Sequence, residues 1–190
     1  MKKIIPFQFQ VSKEDTYELF QNTPYIKTLF KLAMVGNIIA LLTFCIYNIV
    51  ENYKFAVDGT QFVILNVITI VFGLVFYFVI RFLVNMILKK IVQKRSNVFY
   101  ENIDSKLHIG FDSRSEEFQV GKDKSKIRAN NSLLVHSSAR NFLFYVGNGR
   151  SKDEKFYIPK EGTVEHQQRL KRVITKLEES GIRVMPLKEK

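Results

Sequence analysis

The chain has 190 residues, a net charge of +11, 46% hydrophobic residues and a single cysteine. One cysteine excludes an intramolecular disulfide framework, and residues 1–95 (11 basic, 5 acidic) and 96–190 (18 basic, 13 acidic) share the positive charge. A basic balance of this size fits nucleic acid, an anionic lipid surface or control of membrane orientation, and basic and aromatic residues do not interleave here as nucleic-acid binding would ask.

Ile5, Phe7, Phe9 and Val11 alternate with Pro6, Gln8 and Gln10, so a short strand with one buried face is expected first. Gln8, Gln10 and the Ser12-Lys13-Glu14-Asp15 cluster interrupt any signal-peptide core. Ser12 suits a helix N-cap, and Glu14 and Asp15 suit the positive end of the helix dipole. That helix carries Tyr17, Leu19 and Phe20 and ends near Asn22-Thr23-Pro24.

Two apolar runs follow, Leu32–Val50 and Phe62–Ile80, with the polar stretch Glu51–Gln61 between them. Neither run contains Asp, Glu, Lys or Arg. A bilayer core of ~30 Å needs roughly 20 apolar residues in a helix, so the spacing predicts a transmembrane hairpin. Asn37, Thr43, Asn48 and Asn66 are expected to face the opposite helix, where each polar group finds a partner away from lipid. Cys45 reads as a small apolar residue within the first run. Arg81 ends the second run at the headgroups. The alternative, a span reaching Leu88, buries Arg81 at a cost of at least ~2.5 kcal/mol.

Lys89, Lys90, Lys94 and Arg95 follow, while Lys2, Lys3, Lys13, Lys27 and Lys31 precede the hairpin. The loop sets Lys54 against Glu51 and Asp58. Cytoplasmic flanks collect Lys and Arg, so both termini are expected inside and the loop outside. Arg81, Lys89, Lys90, Lys94 and Arg95 are candidate contacts to anionic lipid, at ~1 kcal/mol per charge near the surface.

Beyond Ser96 the pattern changes. Strands are expected at Lys106–Phe111, Glu116–Val120, Leu133–Val135, Asn141–Val146 and Lys155–Ile158, separated by turns at Gly121–Lys124 and Gly147-Asn148-Gly149. Strands at this spacing suggest a small antiparallel barrel or sandwich. Lys122, Lys124, Lys126 and Arg128 alternate, so an extended segment would gather them on one face as a ligand or partner patch. A last helix starts after Thr163. Leu170, Val173, Ile174 and Leu177 form its apolar stripe, and Gly181 marks its end.

His108, His136 and His166 have no partner at metal-ligand spacing. Ser137-Ser138 beside His136 lack a nucleophile-elbow glycine pattern, and Glu116 and Glu117 would point to opposite faces of a strand. No enzyme activity and no cofactor are expected.

Phe9-Gln-Val-Ser-Lys-Glu-Asp15, the two spans, Lys155-Phe-Tyr-Ile-Pro-Lys160 and the helix after it resemble the YcxB-like bacterial membrane proteins. The resemblance implies a pleckstrin-homology-like (PH-like) C-terminal domain and a bacterial cytoplasmic-membrane location; it implies no common reaction. The expected fold is therefore membrane α+β, with an N-terminal strand and helix (1–31), a hairpin with its basic segment (32–95) and a PH-like domain (96–190). The expected role is a non-catalytic interaction module at the inner membrane surface. Its partners are the bilayer and a protein or second copy meeting the hairpin. The alternative is immunity to a membrane-active bacteriocin or toxin.

Overall fold

The computed structural model describes residues 4–103, 105–121, 125–130, 132–147 and 154–187. Lys2, Lys3, Lys122, Lys124, Asn148 and Gly149 lie outside them. The chain forms two compact units, one of Met1–Tyr25 with Val92–Lys190 and one of Ile26–Ile91.

The first unit begins with β1 (Ile4–Gln10) and α1 (Lys13–Gln21). Ser12 caps α1, its Oγ accepting the Asp15 amide at 3.0 Å. Two long helices follow, α2 (Pro24–Phe55) and α3 (Gly59–Asn102), each running through both units. The polar stretch expected between the spans is mostly helical, and the turn narrows to residues 56–58. Asp58 Oδ1 and Gln61 Oε1 accept backbone amides there, each satisfying a donor that a helix end leaves free.

The first unit is completed by β2 (Lys106–Asp112), β3 (Glu117–Val120), β4 (Ser125–Arg128), β5 (Leu134–Ser137), β6 (Asn141–Val146), β7 (Glu154–Pro159), α4 (Val164–Glu179) and β8 (Val184–Pro186). One sheet has the order β1-β2-β3-β4 and the other β7-β6-β5-β8. Among the described residues no hydrogen-bonded ladder joins them, so of the expected barrel or sandwich there is no closed barrel but two four-stranded sheets. The chain changes sheets between β4 and β5 at Asn130, whose Oδ1 accepts the Ser132 amide at 3.0 Å and whose carbonyl accepts the Leu133 amide at 2.9 Å. The all-antiparallel expectation also needs correction, since β8 pairs parallel to β5. The N-terminal strand belongs to the first sheet, with Gln10 opposite Lys106 and Ile4 opposite Asp112.

Four rings join the two sheets through one core. Phe111 and Phe118 come from the first sheet, and Phe144 and Phe156 from the second. Ring centroids lie 4.8 Å apart for Phe111–Phe118, 5.3 Å for Phe118–Phe144 and 5.1 Å for Phe118–Phe156. Leu170, Val173 and Leu177 of α4 are buried in the same core. Thr163 Oγ1 caps α4 by accepting the His166 amide, and Gly181 turns the chain at φ 83°. A left-handed φ of that size favours glycine.

The second sheet is buried on both faces. Phe144 and Phe156 face the first sheet, while alternate neighbours Leu143, Tyr145 and Tyr157 are equally buried on the other side. Helix α1 covers that second face: the Tyr145 hydroxyl donates to the Leu19 carbonyl at 2.8 Å. This explains why β6 and β7 read as continuous apolar runs rather than alternating ones.

Candidate functional site

In the apolar unit, α2 and α3 meet through a short series of polar contacts. Asn37 Nδ2 donates to the Tyr77 carbonyl at 3.2 Å. Asn52 Nδ2 donates to Asn66 Oδ1 at 3.1 Å and Thr69 Oγ1 at 3.2 Å. Between these points Gly73 lets the helices approach: a Cβ there would lie 2.8 Å from Leu41 Cδ1. Asn37 and Asn66 thus face the opposite helix as expected. Thr43 and Asn48 do not bond across. Each donates within its own helix, to the Ile39 carbonyl at 3.0 Å and the Phe44 carbonyl at 2.8 Å. A helix turns about 100° per residue, which carries Thr43 about 120° away from Asn37. Asn52 and Thr69, outside the expected set, make the contact instead.

The outward surfaces are apolar. Leu32, Phe72, Phe76 and Phe82 are each more than 60% exposed. Both helices are long and apolar enough to cross a membrane. The charge-free stretch is about 28 Å on α2 from Leu32 to Val50, and about 33 Å on α3 from Gly59 to Ile80, at 1.5 Å per residue. Both lengths approximate a hydrocarbon core.

Arg81, Lys89, Lys90, Lys94 and Arg95 are all exposed on α3. At 100° per residue they encircle the helix rather than form a stripe. A collar of this kind suits a laterally uniform boundary, whereas a stripe would suit one facing partner. The antiparallel register carries Lys27 to about the level of Lys89 and Lys31 to about that of Asn85, extending the collar onto α2. Arg95 also lies 6.0 Å from the Tyr25 ring centre, within reach of a cation–π contact.

The second expected cluster is divided. Lys126 and Arg128 are exposed on β4 and share one face, with Ile127 buried between them. Arg128 Nε lies 3.1 Å from Glu117 Oε1, an exposed pair worth at most ~1 kcal/mol. Lys122 and Lys124 fall outside the described residues.

Comparison with protein-family models, with curated proteins and with solved structures found no match. Among the described residues, no three His, Cys, Asp or Glu side chains form a group that could hold a metal ion. His166 Nε2 lies 2.8 Å from the Pro159 carbonyl and meets the Phe7 ring edge-on at 5.6 Å, which makes it a packing group of α4.

Two polar arrangements have no counterpart in the sequence reading. The first joins α1 to β6. Asn141 is fully buried, and its Nδ2 donates to Asp15 Oδ1 at 2.8 Å and Glu18 Oε2 at 2.7 Å. Ser12 Oγ donates to Asp15 Oδ2 at 2.6 Å, and Arg140 Nη2 stands 3.4 Å from Asp15 Oδ1. Asn141 Oδ1 is buried without a donor among the described residues. That orphan costs about 1–3 kcal/mol, set against two charge-assisted bonds of about 1.5–3 kcal/mol each. The balance favours docking of α1.

The neighbouring tyrosines register the same burial. Loss of solvent, and secondly the nearby Glu18 charge, hold the Tyr145 phenol well above its ordinary range. Burial pushes Tyr157 up to about 12, with a smaller upward push from Asp15 and an opposing hydrogen bond from the Ser12 amide.

The second arrangement is a groove of about 410 Å³ between α4 and the second sheet. Phe142, Leu170 and Ile174 supply apolar lining, with Lys160, Lys171 and Glu178 as its charged groups. Lys160 Nζ donates to Ser137 Oγ at 2.8 Å and to the Ser138 carbonyl, and stands 4.9 Å from the Phe142 ring centre.

Proposed function

We propose that the chain is a YcxB-like bacterial membrane protein. Its hairpin crosses the cytoplasmic membrane, and its α+β unit is a PH-like, non-catalytic binding module at the inner leaflet. The observation that carries this reading is the hairpin itself. It turns Asn37, Asn52, Asn66 and Thr69 inward and exposes large apolar side chains along both helices. Apolar surface costs about 25 cal/mol per Å² in water, so such a pair is at home in lipid.

The collar supports a boundary at Arg81 to Arg95, and the excess of Lys and Arg supports a cytoplasmic side there. Pairing of β1 with β2 brings the chain before α2 and the chain after α3 into one sheet, which requires them to share a compartment. The PH-like reading is supported by two sheets around one aromatic core, followed by a C-terminal helix. Binding at the leaflet is supported by the basic collar.

A reporter enzyme active only outside the cytoplasm tests the arrangement. Inserted at Val57 it should be active, and fused after Lys190 it should be silent. Activity at Lys190 overturns the orientation. Loss of membrane association in the full chain at high salt and alkaline carbonate overturns the spanning hairpin.

A further inference from the structure

The groove beside α4 has a polarity that its structural role does not use. Gln167, Leu170, Lys171, Ile174, Thr175 and Glu178 recur at intervals of three or four, forming one stripe about 16 Å long on α4. Opposite this stripe lie Phe142 and Lys160. The contact of His166 with the Pro159 carbonyl fixes Lys160 near the N-terminal part of the helix. Lys160 and Lys171 therefore make one end cationic, and Glu178 makes the other acidic.

Lys160 is half-buried, and no carboxylate lies within 4 Å of it among the described residues. Two of its three ammonium donors are used, on Ser137 and Ser138. The third has no oxygen acceptor among the described residues, and the ammonium also stands over the Phe142 ring.

We propose that this groove takes a single-chain amphiphile with an anionic head. The head sits at Lys160 and Lys171, and the chain runs along Phe142, Leu170 and Ile174. Glu178 repels an anion and so fixes the direction of entry. The groove is open to solvent along its length, so an amphiphile would lie along it rather than be enclosed. A peptide fits the groove less well. Phe142 belongs to β6, whose neighbours β5 and β7 occupy both of its sides, so an incoming backbone cannot pair with β6 itself. An acyl chain brings no backbone groups to satisfy. The head chemistry is shared by a free fatty carboxylate and a lysophospholipid phosphate.

This inference rests on the reading of the α+β unit as a binding module. The full chain in phosphatidylcholine nanodiscs is photolabelled with a diazirine-bearing palmitate and mapped by mass spectrometry. Labelling is expected within 167–178, and Lys171→Gln with Lys160→Gln should weaken it about tenfold or more. Because Lys160 also holds the turn before β6, Thr175→Phe serves as a second variant; it blocks the groove and leaves both lysines in place. Protection by added dodecanoate identifies a free carboxylate as the source, and protection only by lysophosphatidylglycerol within the disc identifies a bilayer lipid. The proposal is overturned by equal protection from a neutral monoacylglycerol, by protection only from an acidic peptide, or by unchanged labelling in Thr175→Phe. Label confined to α2 and α3 overturns the groove while leaving the spanning hairpin intact, so the two failures are distinguishable.

Discussion

Replacing Asn141 by alanine should undock α1 selectively. The side chain is fully buried and gives both of its amide hydrogens to carboxylates, Asp15 and Glu18. Two charge-assisted bonds of about 1.5–3 kcal/mol each are lost. The substitution also removes the unpartnered Oδ1, returning about 1–3 kcal/mol. Ser12 and Arg140 continue to serve Asp15, which limits the penalty on that carboxylate. The net loss is about 2–4 kcal/mol, once the small cavity is included. Hydrogen exchange on the full chain in nanodiscs reads this locally. Amides of Thr16 to Phe20 should exchange about 30-fold to 1,000-fold faster at 1.4 kcal/mol per tenfold, while α4 amides change less. A double-mutant cycle with Asp15→Ala isolates the pair and should give a coupling of about 1–2 kcal/mol. Exchange at α1 within threefold of the parent, or a coupling below about 0.5 kcal/mol, would refute the assignment of Asn141 as the group that holds α1 down.

In the hairpin, Gly73→Leu should force α2 and α3 apart at Leu41 and Cys45, costing about 1–3 kcal/mol, with Gly73→Ala milder because the Leu41 tip can move. Cysteine crosslinking across the pair reads the separation, and unchanged crosslinking with Gly73→Leu contradicts the close approach. Asn52→Leu should weaken the same contact by about 0.6–1.7 kcal/mol in lipid, measured by steric trapping. Tyr157 titrates near 10 when unfolded and at about 12 when folded, so its contribution is complete below pH 10 and disappears as pH rises through 12. Tyr157 should therefore contribute a fall of up to ~1.4 kcal/mol per pH unit across that window, and Tyr157→Phe should reduce the slope to the part due to Tyr145; phenolate absorbance appearing well before unfolding would count against it. Thr163→Ala should cost about 1 kcal/mol through the lost cap of α4, visible as a lower urea midpoint.

What the sequence disclosed were the locally determined parts. The limits Asn141–Val146 hold for β6, and the caps at Ser12 and Thr163 operate as expected, because each depends on residues within a few positions. β8 was not foreseen: three residues with a proline carry almost no periodic signal, and their pairing depends on β5, 47 or more positions earlier. The docking of α1 was equally hidden, since Asp15 and Asn141 are 126 positions apart. One signal did exist. Strands β6 and β7 are apolar on consecutive positions, which implies a cover on each face, and α1 was the helix available to supply the second. In the hairpin, counting polar residues found the right chemistry, but only the rotation about each axis separates Asn37 from Thr43. The basic residues were recognisable by type, while their encircling arrangement required α3 to continue unbroken past Arg81 to Asn102.

The insertion of both long helices between β1 and β2 imposes a delay during synthesis. About 95 residues separate Gln10 from its partner Lys106, so at about 5–20 residues per second β1 waits about 5–20 s for the strand that pairs with it. Through that interval Ile5, Phe7 and Phe9 have no sheet to join. The first sheet can close only after both helices have been made, and in the proposed membrane arrangement a hairpin with a single crossing would leave β1 and β2 in different compartments. For the spanning hairpin proposed above, closure of the first sheet would act as a proofreading step on insertion, because a mis-threaded chain leaves β1 unpaired.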